Sequence, residues 1–186
     1  MKWRTGVLVL VLGAVLGCSP VQVSDYAEFE PKLDPQTFFD GPLTAHGVVK
    51  DRSGRVIRSF NADIEASWDG GVGTLVEDFI FDDGELQQRI WTLTPDPAGG
   101  FIGTAADVVG PGELRLAGNS IFLKYVLRIP YSDSTVDVSV DDRMYLVAPE
   151  VLINESVMTK FGVRVGSLLL VIVRGDRGLL PESFLQ

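Results

Sequence analysis

Side chains able to do chemistry are few in this chain, and they are scattered. One cysteine, Cys18, and one histidine, His46, occur in 186 residues. A lone thiol closes no intramolecular disulfide, and a structural zinc site takes several Cys or His ligands. A nucleophilic Ser or Cys needs a base held beside it. His46 stands among turn-forming residues near the first strand-like run, and no G-x-S-x-G elbow occurs. A strand-end or surface histidine is the expected role. Asp82, Asp83 and Glu85 gather three acids, but Asp-Asp-Gly is first a hairpin turn, and the alternating ligands of an EF-hand loop are missing. Neither Gly110-Pro111-Gly112 nor Gly70-Gly71-Val72-Gly73 has phosphate-loop or dinucleotide spacing. No catalytic residue, metal or cofactor is therefore expected, and the chain is read as a non-enzyme.

More informative are polar residues that strand alternation sets on an apolar face. If Val136, Val138 and Val140 point inward, Asp142, Met144 and Leu146 follow on the same face. Arg89 shares a face with Trp91 and Leu93, and Tyr125 sits among Leu123, Leu127 and Ile129. An inward Arg89 paired with Asp142 or Asp107 has the planar fork that suits a carboxylate or phosphate headgroup. The candidate ligand-binding set is thus Arg89, Trp91, Asp107, Tyr125, Asp142 and Met144. The alternative is a structural ion pair at a barrel end or a solvent-facing set, since one bulge reverses the parity.

The elements that position these residues are strands. Period-two alternation recurs over 43–50, 55–64, 66–69, 73–81, 86–94, 101–107, 113–118, 120–130, 135–147, 150–158 and 163–174, with some merging, which predicts eight to ten strands. Turn signals separate them, among them Asp51-Arg52-Ser53-Gly54, Asp69-Gly70-Gly71, Asp82-Asp83-Gly84, Pro97-Ala98-Gly99-Gly100 and Tyr131-Ser132-Asp133-Ser134. Leu168 to Val173, "LLLVIV", reads as a strand buried on both faces rather than a membrane span. A single helical turn is expected at 34–39, with Asp34 as its cap and Pro35 at its first position. Successive hairpins after one short helix predict an all-β fold, a single antiparallel up-and-down barrel of the lipocalin type.

The amino terminus supplies an address. Lys2 and Arg4 precede an uncharged run from Thr5 to Leu16, followed by Gly17, Cys18 and Ser19. These are the parts of a secretory signal, and about a dozen apolar residues fall short of the roughly 20 that span a bilayer. Val15-Leu16-Gly17-Cys18 resembles the lipobox of bacterial lipoproteins, which implies a signal peptide at 1–17 and lipid on Cys18. Ser19 rather than Asp after the cysteine implies sorting to the outer membrane. The polar stretch to residue 32, broken by Pro20 and Pro31, reads as a tether, 33–175 as the barrel domain and 176–186 as a tail. A formal charge of −9 disfavours nucleic acid and anionic lipid headgroups as docking partners. At 46% hydrophobic residues the chain can still build a substantial core.

Phe38-Phe39-Asp40-Gly41-Pro42-Leu43-Thr44-Ala45-His46-Gly47, Glu77-Asp78-Phe79-Ile80-Phe81-Asp82-Asp83-Gly84-Glu85, Arg89-Ile90-Trp91, Gly103-Thr104-Ala105-Ala106-Asp107-Val108-Val109-Gly110, Asp141-Asp142-Arg143-Met144-Tyr145-Leu146 and Lys160-Phe161-Gly162-Val163 together resemble a family of proteobacterial lipoproteins, domain of unknown function 3833. Arg143 stands where that family is expected to carry tryptophan, and His46 where an aromatic is expected. The resemblance implies a lipocalin-like barrel and a lipoprotein address, and it implies no activity. Two readings follow. Either the barrel holds a lipid or other apolar small molecule, with Trp68, Trp91, Phe60, Phe79, Phe81, Phe101 and Tyr125 as lining or core, or it is filled by its own side chains and its exterior contacts an envelope protein as a scaffold.

Overall fold

The computed structural model describes residues 20–175. Ten antiparallel strands run β1 (Gly41–Asp51), β2 (Val56–Asp69), β3 (Val72–Phe81), β4 (Leu86–Pro95), β5 (Phe101–Thr104), β6 (Gly112–Ala117), β7 (Ser120–Tyr131), β8 (Ser134–Ala148), β9 (Val151–Lys160) and β10 (Val163–Arg174). Each pairs with its neighbours in sequence, and β1 pairs with β10 to close the barrel. Closure leaves no unpaired edge. The segments expected at 55–64 and 66–69 are one strand, β2.

Turn chemistry fixes the register. Gly70 and Gly71 both take positive φ between the paired residues Asp69 and Val72, so the β2–β3 hairpin is a two-residue turn. The strand expected to reach residue 107 stops at Thr104. Beyond it the chain turns, with Val108 N–H donating to the Ala105 carbonyl, and then lies along β7 through Val109 N–H to the Val126 carbonyl. "LLLVIV" is corrected too. In a single-layer wall each strand has one outer face, and Leu169 is 42% exposed while Ile172 is buried.

One end of the barrel is stoppered. Asp34 caps α1 (Pro35–Phe38) by accepting from Gln36 N–H, with Pro35 at the first turn as expected. Phe38 and Phe39 turn inward, and the Trp68 indole N–H donates to the Phe39 carbonyl at 2.6 Å. Arg174 Nη1 bonds the Thr37 carbonyl. With Leu43, Ile64, Leu93 and Phe101 this makes the dense core, each such buried side chain contributing about 1.5–3 kcal/mol.

Part of the stretch read as a tether is docked. A 3-10 turn, Val23–Tyr26, lies on β6 and β7 near the stoppered end, with the Tyr26 ring edge-on to Phe122 and 5.3 Å from Tyr145, and Leu33 N–H bonds the Gly118 carbonyl. The signal segment 1–17, the Cys18 lipidation site and the tail 176–186 lie outside the described residues. Among the described residues no helix is long and apolar enough to cross a membrane.

Candidate functional site: a cavity with a buried polar band

Alternation along nine of the ten strands aims side chains into a cavity of about 1170 Å³. It starts at Phe39, Ala45 and Leu93 above the stopper and reaches Arg58, Phe81, Tyr131 and Lys160 at the opposite rim. Tyr131 is 70% exposed, so the cavity opens between the hairpins of that rim. Most of its wall is apolar, built from Phe60, Leu75, Phe79, Leu123, Val138, Val140, Leu168 and Leu170 among others.

All six residues of the candidate set, Arg89, Trp91, Asp107, Tyr125, Asp142 and Met144, line this cavity. The parity inferred for β8 and β4 is the observed one, because no register shift falls before Asp142 or Arg89 in the pairings of β7 with β8 and β3 with β4. Trp91 stands edge-on to Tyr125 with ring centroids 5.3 Å apart. Of the expected aromatic lining, Phe60, Phe79 and Phe81 face the cavity, whereas Trp68 and Phe101 pack on each other at 5.4 Å in the stoppered end.

Arg89 pairs with Asp107, not with Asp142. Its Nε donates to both carboxylate oxygens at 3.0 and 3.1 Å and its Nη2 to Oδ2 at 2.7 Å. The early end of β5 is what lets Asp107 reach inward from the β5–β6 connection. Asp142 is 7% exposed and its Oδ1 accepts from Asn154 Nδ2 and from Ser156 Oγ, the latter at 2.7 Å. Burial pushes its pKa up to about 6, against the opposing pull of those two hydrogen bonds and of Arg89.

Glu77, Asn154 and Ser156 complete the band and were missed in the sequence. Glu77 pairs in register with Arg89 across β3 and β4 and faces the cavity. Burial raises its pKa to about 7; Arg89 opposes that rise, and Asp142 and Asp107 add to it. Burial likewise raises the Tyr125 phenol above its ordinary value. Three carboxylates thus surround one guanidinium in a largely apolar chamber.

The acids singled out for metal chemistry are engaged otherwise. Asp83 and Glu85 accept from Arg58 Nη2 at 2.8 and 2.5 Å, and the Arg58 guanidinium stacks 3.5 Å from the Phe81 ring centroid. His46 lies within β1 on the outer surface, its Nδ1 2.7 Å from Asn61 Oδ1.

A family model described as "Protein of unknown function (DUF3833)" matches residues 12–174. The chain belongs to that family. No curated protein sequence matches it. Among solved structures, the S-type phycobiliprotein lyase CPES from Guillardia theta is similar, with a TM-score of 0.57 and 13% identity over 84% of this chain and 99% of the neighbour. At that identity the likeness establishes the lipocalin-like fold.

Proposed function

We propose that this member of the family is an outer-membrane-anchored, periplasm-facing lipoprotein that binds a lipid or other apolar small molecule inside its barrel and does not transform it chemically. The observation that carries the reading is the open cavity of about 1170 Å³ with apolar walls and a polar band part-way along. That volume is somewhat above the roughly 300–1,000 Å³ typical of small-molecule pockets, and apolar lining with a few placed polar groups is what such pockets share. The scaffold reading needs a barrel filled by its own side chains, which an open cavity does not favour. The lipid anchor rests on the signal-like amino terminus and Cys18. Two or three acyl chains there would hold the protein firmly, at about 0.8 kcal/mol per buried CH₂.

The test is native mass spectrometry of the exported chain carrying Cys18→Ser, which removes covalent lipid. A reproducible noncovalent adduct is expected, and it should vanish in Met158→Trp, which fills the cavity from β9 while circular dichroism shows the fold retained. A clean apo mass after incubation with envelope lipid extract would overturn the reading. Full-length protein that leaves the membrane fraction only with detergent, and that loses this behaviour in Cys18→Ser, is the expected result for the anchor.

A further inference from the structure

Deepening the reading above, on which it rests, we propose that the ligand carries a cationic, N–H-bearing head, such as a protonated amine on an apolar body, and that Glu77 and Asp142 receive it.

The hydrogen bonds of the band lead there. Arg89 is the cation among these inward groups, and its fork is held by both oxygens of Asp107. An anionic head entering the chamber would find the Nε–Nη2 edge of that donor already holding a carboxylate, with Nη1 alone left over. The larger unused capacity is of the opposite kind. Glu77 and Asp142 line the chamber, and neither carboxylate oxygen of Glu77 nor Oδ2 of Asp142 has a hydrogen-bond partner among the described residues, while Asp142 Oδ1 is fixed by Asn154 and Ser156. Carboxylates only accept, so what they lack is a donor.

Charge gives the same answer independently. With Glu77, Asp107 and Asp142 ionised against Arg89 the band is net negative, inside walls that screen poorly. Phe79 on β3 and Trp91 and Tyr125 beside the band add aromatic faces, which attract cations. Burial raises the pKa of Glu77 to about 7 and so holds it partly protonated near neutral pH when nothing is bound, and an incoming cation offsets that penalty by drawing the proton off.

The experiment compares dodecylammonium, dodecanol and dodecanoate, each below its micelle concentration, by titration calorimetry against the Cys18→Ser protein at pH 7.5 and about 0.15 M salt, where exposed charges more than about 8 Å apart are screened. The amine should bind at least about tenfold more tightly than the carboxylate, as a charge-assisted hydrogen bond allows. Heats in two buffers of different ionisation enthalpy should show proton release on amine binding. In Glu77→Gln the head preference should fall severalfold and the proton release with it. If all three probes bind without head preference, or the carboxylate binds best, the inference fails and the cavity reading stands. A preference unchanged by Glu77→Gln removes Glu77 from the site and overturns the assignment. If no probe binds, both fail.

Discussion

Arg89 and Asp107 face each other as fork to fork, with Nε and Nη2 of the arginine reaching both oxygens of the aspartate at 2.7–3.1 Å. The pair joins β4 to the β5–β6 connection and occupies the Nε–Nη2 edge of the guanidinium with a carboxylate that offsets its charge. Asp107→Asn should therefore erase most of the head preference, improving dodecanoate binding by about tenfold, the gain of one charge-assisted contact. Since the two side chains retain 24% and 37% of their surface, the loss of stability should be only about 1–2 kcal/mol. Calorimetry with the carboxylate probe and urea unfolding give the two numbers. A variant that binds dodecanoate no better than the parent would show that the arginine is not a latent anion site.

Glu77 makes the empty protein sensitive to pH in an unusual direction. Its folded pKa of about 7 lies above its ordinary 4.5, because ionising it inside the chamber is unfavourable. Between those values the folded state binds more protons than the unfolded state, so stability is full below about pH 4.5 and is lost as pH rises through 7. Asp142, raised from 3.8 to about 6, acts in the same sense over a lower window. The surface acids held down by partners, Asp83 and Asp137 among them, do the reverse, but only below their ordinary range. Urea midpoints of ligand-free protein should thus fall from pH 5 to pH 8 by the equivalent of a few kcal/mol, at about 1.4 kcal/mol for each pH unit that separates a folded pKa from its unfolded value. Glu77→Gln should flatten most of that slope. A midpoint that rises over this window in the parent would contradict the burial of the group.

Legibility in the sequence depended on whether polarity and parity agreed. Val136, Val138 and Val140 announce an inner face, so Asp142 two residues on could be placed inside by counting, and Trp91 and Leu93 did the same for Arg89. The helical turn was visible because Asp34 and Pro35 are position-specific. Glu77 escaped because β3 is inverted around it. Val76 and Ile80 face outward and Glu77 inward, so an alternation reading finds an apolar run interrupted by two adjacent acids, Glu77 and Asp78, with nothing to say which one points in. Asn154 and Ser156 are hidden in the same way, inward between Ile153 at 39% and Val157 at 38% exposure. The turn Asp82-Asp83-Gly84 does contain the missing signal, since its register sets Glu77 opposite Arg89. The shortness of β5 had no such marker: the chain turns after Thr104, with Val108 N–H on the Ala105 carbonyl, and the pairing of Asp107 with Arg89 that this turn permits is a tertiary contact.

Gly73 is a place where backbone and ring must touch. A Cβ there would lie 2.7–2.9 Å from three carbons of the Trp68 six-membered ring. Trp68 in turn holds the stopper through its bond to the Phe39 carbonyl. Gly73→Ala should displace the indole, break that bond and destabilise the fold by about 1–3 kcal/mol, the usual penalty of overpacking. The measurement is urea unfolding with tryptophan emission, which should also shift to the red in the folded state as Trp68 meets water. An unchanged midpoint and spectrum would mean that the indole is not locked on the glycine.

Phe161 tests how much local conformation matters at the open rim. It is 94% exposed at the tip of the β9–β10 hairpin and has a φ of +51°, a region that disfavours residues with a Cβ by about 1–2 kcal/mol. Its ring packs with its neighbour Lys160, whose Nζ lies 4.9 Å from the ring centroid, an exposed contact of about 0.5–1 kcal/mol. Phe161→Gly removes both the strain and the contact, but it also gives the unfolded chain more freedom, which opposes the gain. These effects nearly cancel, so the midpoint should move by less than about 1 kcal/mol in either direction, within the usual range for surface substitutions. A loss well beyond that would show that the ring supports the hairpin by packing, and would make Phe161 a structural part of the cavity mouth rather than a free tip.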